Sequence, residues 1–173
     1  ELTDIAEYYA SKGRQIEAEA AIDFALQLHP NDTDALIFRA RSLAMKGRLD
    51  EAYMVMDLIE DRSDREVRFL KADLLMEEKR MEEADHVFEE LAAYEEGKLE
   101  TLIDIILAYI DANQEALAKK WIKHVGETYD LASLSQKNQK FRDLLCDFYI
   151  TFNNPEAAIP LLQATLDCYP YSI

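Results

Sequence analysis

Lys-Gly-Arg followed by an acidic-Ala pair occurs at residues 12–18 and returns at 46–52, 34 residues later. The longer matches read KGRQIEAEAAI and KGRLDEAYMVM. A catalytic motif ordinarily occurs once, so a recurrence at fixed spacing points to a structural unit that is copied. A small residue then recurs at Ala18, Ala52, Ala84, Ala118 and Ala158, in steps of 34, 32, 34 and 40. Units this short cannot each bury an apolar face alone, so neighbours have to stack.

Each unit reads as two helices joined by a turn. The first has Leu2, Ile5, Ala6 and Tyr9 in one helix and Ala18, Ile22 and Ala25 in the next. Gly13 stands at the turn, where positive φ is tolerated, and Pro30 closes the unit. The second has Leu36, Ala40 and Leu43, a turn at Gly47, then Ala52, Met56 and Ile59 in its second helix. The third has Ala72 and Leu75, a turn near EEKR, then Ala84, Phe88 and Leu91. The fourth has Leu102, Ile105, Ile106 and Tyr109, a turn at Ala112-Asn113, then Ala118, Ile122 and Val125. The fifth has Leu145, Cys146 and Tyr149, a turn at FNNPE, then Ala158 and Leu162, with Pro170 at its end. Only 4 Gly and 4 Pro occur, against roughly 12 and 9 at average usage, as expected of helices joined by short turns.

This pattern resembles the tetratricopeptide repeat family over essentially the whole chain. The resemblance implies an all-α fold, a right-handed solenoid of about five helical hairpins and about ten helices. The expected repeats are 1–32, 33–64, 65–98, 99–138 and 139–173, within one domain spanning 1–173. Small residues would let paired helices approach, and large ones would fill the gaps between hairpins.

Several positions depart from the pattern. Arg39 and Lys71 stand where a leucine-like residue is usual, so Phe38, Phe69 and Leu70 are candidates to take over that core. The step of 32 implies a shortened junction around residues 60–66. The step of 40 implies an insertion around Gly126–Gln139, either a loop or a lengthening of the adjoining helices. Asn154-Pro155 is a good helix start, whereas Pro160 falls inside the last helix and should bend it. Both ends look cut, because Leu2 is already helical and Tyr171-Ser172-Ile173 would open another helix. A fragment of a longer repeat protein is expected, or one that pairs through an end.

The net charge of −16 disfavours nucleic acid and anionic membranes. No apolar run reaches about 18 residues, and no signal peptide is visible, although a leader removed before Glu1 is compatible with the sequence. Cys146 and Cys168 read as small buried apolar residues, and two free thiols suit a reducing, cytoplasmic compartment. His29, His86 and His124 lie in three different units without a ligand set, so no metal or other cofactor is expected. The acidic runs read as solvated helix faces rather than calcium loops. Trp121 reads as inter-helix core. No phosphate loop, nucleophile elbow or HExxH occurs, and the chain is read as non-enzymatic.

The resemblance further implies that first helices line a concave groove that binds peptides. One subclass clamps a C-terminal carboxylate with Lys, Asn and Arg. The matching positions in the first three units hold Thr3, Glu7, Phe38, Glu66 and Leu70, which disfavours acidic tails as ligands. The groove candidates are Ile37, Arg41, Phe69, Asp73, Ile103, Leu107, Ile110 and Asp147. That set suits an apolar segment with basic flanks, with Asp73 and Asp147 orienting it. The equally weighted alternative is that Phe69, Ile103 and Leu107 only contact neighbouring first helices. The function expected is a protein-interaction scaffold. The alternatives are self-assembly through exposed repeat ends, giving a homo-oligomer, or the regulatory or targeting arm of a longer enzyme.

Overall fold

The computed structural model describes residues 2–168, with side chains described as far as Gln163. Pro170 and the Tyr171–Ile173 segment, and the side chain of Cys168, lie outside the described residues. Within the described residues every regular element is an α-helix. In chain order they are α1 (Leu2–Ser11), α2 (Gln15–Leu28), α3 (Thr33–Met45), α4 (Leu49–Met56), α5 (Arg65–Glu77) and α6 (Met81–Tyr94). They continue with α7 (Leu99–Asp111), α8 (Glu115–Thr128), α9 (Leu131–Lys137), α10 (Gln139–Thr151) and α11 (Pro155–Cys168). The contacts divide the chain into two compact units, Glu1–Phe88 and Glu89–Ile173.

One turn is used five times. The second residue past each first helix adopts positive φ: Gly13 (70°), Gly47 (74°), Lys79 (64°), Asn113 (56°) and Asn153 (57°). Each turn also carries the paired backbone bonds that close a Schellman motif. Gly13 N–H donates to Ala10 O at 2.9 Å and Arg14 N–H to Tyr9 O at 2.9 Å. Gly47 and Arg48, Lys79 and Arg80, Asn113 and Gln114, and Asn153 and Asn154 repeat the pair. The motif satisfies carbonyls orphaned at the helix end and reverses the chain within two residues. Gly and Asn tolerate this conformation, whereas a lysine is strained in it. Lys79→Gly should therefore raise stability by about 0.5–1 kcal/mol, read from the thermal or urea midpoint.

The Arg after the turn has a second role in residues 1–88. Arg14 grips Glu17 through Nε (2.9 Å) and Nη2 (2.7 Å). Arg48 does the same to Glu51, and Arg80 to Glu83. The guanidinium hydrogen bond holds each of these carboxyls below the usual range. All three pairs are exposed, so they bias local geometry more than they stabilise the fold. First helices begin differently. Asp32, Asp64 and Asn138 cap α3, α5 and α10 by accepting the N–H of Ala35, of Glu66 and Val67, and of Phe141.

In the first unit, α1 pairs with α2 and α3 with α4, and α3 also lies against α2, α1 and α5. Ala6, Ala18, Ile22, Ala25 and Ala35 form one core cluster. Leu36, Ala40, Ala52, Met56, Leu70 and Leu74 belong to the next. Phe69 of α5 meets Phe88 of α6 with ring centroids 5.2 Å apart. In the second unit, α7 pairs with α8 and α10 with α11, and α10 also lies against α7 and α9. Ala118, Trp121, Val125, Tyr109, Phe141 and Ala158 are buried there.

Four sequence expectations are corrected or sharpened. The insertion is neither a loop nor a lengthened neighbour but the separate helix α9, since α8 has the same 14 residues as α2. Asp130 caps α9, and buried Arg142 donates Nη1 to the carbonyls of Ser135 and Gln136 near its end, both at 3.1 Å. Gly126 allows Leu131 to approach, because a Cβ there would meet Leu131 Cδ1 at 3.1 Å. The short step of 32 arises within the second helix, since α4 has only 8 residues where α2 has 14, and not from a shortened junction at 60–66, because the connection 57–64 is longer than the connection 29–32. Ile59 follows that helix instead of belonging to it, yet is buried in the core. Leu70, fully buried, takes the core place near exposed Lys71, and Arg39 pairs with Asp23.

Candidate functional site

An open groove of about 270 Å³ lies across the first helices of the N-terminal unit. From α1 it receives Thr3, Asp4 and Glu7, which fall on one helix face at spacings of three and four. From α3 it receives Asp34, Ile37, Phe38 and Arg41, again a single face. Glu66, from the first turn of α5, completes it. The groove exists because α3 packs beside both α1 and α5, so three first helices form adjoining ridges.

The groove is amphipathic and acidic. Ile37 is buried and Phe38 half-buried, so the apolar part lies low. The carboxylates of Glu7 and Asp34 are exposed, and among the described residues neither is in an ion pair. Arg41, the one cation among the described lining residues, is drawn toward α5. Its Nη2 lies 3.4 Å from Glu66 Oε2 and its Nε 3.6 Å from Asp73 Oδ2. Glu66 is also paired with Arg65 at 2.7 Å, and the Arg65 guanidinium sits 4.9 Å from the Phe69 ring centroid.

Asp73 titrates abnormally. Loss of water around its carboxyl pushes it up to about 6, with Arg41 opposing and Glu66 and Glu77 adding to the rise. The folded state therefore holds this proton more tightly than the unfolded chain. Its contribution to stability is fully present below the ordinary value of 3.8 and is lost as pH rises through about 6. Asp73→Asn should flatten that part of the stability profile between pH 4 and 7, compared with the wild type by urea midpoints. A parallel decline in both proteins would show that the carboxyl is ordinary.

The eight residues expected from sequence are distributed unevenly. Ile37 and Arg41 line the groove, and Asp73 is brought to it only through Arg41. Phe69, Ile103 and Ile110 are 7, 4 and 5% exposed, and so present little surface. Leu107 is half-buried on α7, and Asp147 is exposed on α10. The reading missed Asp4 and Asp34. Thr3, Glu7, Phe38 and Glu66, noted there only as mismatches to a carboxylate clamp, are all groove residues. The signal that could have found the other two is their helical spacing to these four.

Among the described residues no group of three or more His, Cys, Asp or Glu is placed to hold a metal ion. His29, His86 and His124 are exposed, while Trp121 is core. Burial and neighbouring Asp143 and Asp147 push the Cys146 thiol up. No helix of the described residues is long and apolar enough to cross a membrane.

A chain built from repeated helical hairpins with a small residue at each close approach is an α-helical repeat protein. No protein-family model matches the chain, and no curated protein matches it. Among solved structures it is similar to a tetratricopeptide repeat protein from Parabacteroides merdae ATCC 43184, with a TM-score of 0.52 and 16% identity. The likeness covers 99% of this chain and 66% of that one. The fold is that of a tetratricopeptide repeat protein.

Proposed function

We propose that this chain is a non-enzymatic scaffold that binds a peptide, or an extended segment of another protein, on its first-helix face. The observation that supports this most is the open groove across α1, α3 and α5, whose low apolar part and polar rim are the surface an extended segment needs. The segment it suits is apolar with basic flanks. Asp73 of α5, joined to the groove through Arg41, is the candidate for orienting it. The test is a peptide library of acidic, neutral and basic sequences, screened against the wild type and Thr3→Trp. The new indole would fill the groove from α1. Binders lost in the variant support the reading. Binders retained at equal affinity, or no binders at all, would overturn it.

Self-assembly is a second reading, and the first hairpin supports it. Ile16, Phe24 and Leu28 step along α2 at multiples of four residues and are 84, 51 and 53% exposed. Ile5 and Tyr8 of α1 are 47 and 60% exposed. Exposed apolar side chains gathered on one hairpin are a common mark of an interface. Light scattering over a wide concentration range tests it: mass should rise for the wild type and stay monomeric for Phe24→Lys. A monomer throughout would sink this reading.

A further inference from the structure

The charge of the groove narrows its ligand further, an inference that rests on the peptide-binding reading above. Among the described residues four carboxylates, Asp4, Glu7, Asp34 and Glu66, line it against one guanidinium. That guanidinium, Arg41, is held by Glu66 and Asp73 of the third first helix. The net negative potential therefore lies toward α1 and the start of α3, where Glu7 and Asp34 stand without ion-pair partners among the described residues. In the same groove the half-buried Phe38 offers apolar surface, with buried Ile37 beside it.

We propose that this groove takes a lysine or arginine side chain of an extended partner segment, with an apolar neighbour lying on Phe38. The aliphatic stem of the cation runs along the apolar surface, and its head reaches Glu7 and Asp34. Arg41 already shows that this surface accommodates a guanidinium between carboxylates, since Glu66 and Asp73 hold one from within the chain. Burying a carboxylate-bearing peptide here would place like charges together, which discriminates against it.

The experiment compares two short fluorescent peptides, one alternating Leu with Arg and one alternating Leu with Gln, by anisotropy against the whole chain. The Arg peptide should bind about tenfold tighter. Glu7→Gln combined with Asp34→Asn should remove that preference, with folding verified by circular dichroism melting. Asp50→Asn combined with Glu60→Gln, which changes charge equally outside the groove, should leave it intact. A preference that survives the groove variant, or vanishes in the outside variant, assigns it to overall charge and overturns the inference. If the Gln peptide binds as tightly and is lost in Thr3→Trp, the groove binds peptides without selecting a cation. Then only this inference falls. If neither peptide binds, the peptide-binding reading falls with it.

Discussion

Leu70→Ala should cost the folded chain about 2–5 kcal/mol, read from the urea midpoint at constant slope. Leu70 is fully buried on α5, in the cluster that includes Leu36, Ile37, Leu43, Met56 and Leu74. Truncation removes transfer energy and leaves a cavity that α3, α4 and α5 close only in part. The neighbouring position supplies the control. Lys71 is exposed, and Lys71→Ala should stay within about 0.5 kcal/mol of the wild type. The pair tests the register of α5, because the repeat pattern by itself assigns the core place to position 71. Equal losses at both positions would show that Leu70 does not carry this core. Ile37 shares the cluster and also lines the groove, so the Leu70 variant should weaken peptide binding as well.

Ala52→Leu should destabilise by about 1–3 kcal/mol, although leucine is nearly as good a helix former as alanine. Ala52 has no exposed surface, and it shares a core cluster with Leu36, Ala40 and Leu43 of α3, against which α4 packs. The added atoms have no space, so side chains leave their rotamers or the hairpin opens. Ala20→Leu on α2 is the matching control. Ala20 is exposed, and the substitution should be neutral within about 0.5 kcal/mol. A neutral Ala52→Leu would mean that close approach of the paired helices is not what keeps this position small.

These two outcomes bear on why the fold was largely legible from the chain. The turns at Gly13 and Gly47 announce themselves, because glycine adopts positive φ without strain. Asn113 and Asn153 are the next most tolerant choice and were legible too. Lys79 gave no such sign, and only its position in the period placed a turn there. The insertion at 126–139 was seen as a length but not as a helix. Its end is bonded by Arg142, which reaches back from α10 to carbonyls six and seven residues earlier. The end of α4 was misplaced because Ile59 is buried as a helical residue would be, while its backbone has already left the helix.

The groove was legible only in part. Ile37 and Arg41 were read from the first-helix pattern, and Phe69, Ile103 and Ile110 follow the same period but face the interior. An apolar stripe does not distinguish a groove wall from a helix interface. By itself the sequence determined the hairpin repeat, its turns and the small residues where helices touch. All of these are local or nearest-neighbour properties written into a recurring period. Only the tertiary structure decided which side chains of α1, α3 and α5 converge. It also showed that Arg41 is held by Glu66 and Asp73 and that the Asp73 carboxyl is pushed up to about 6. Those depend on distances between helices remote in sequence and on how much water their packing leaves around each charge, which no spacing along the chain encodes.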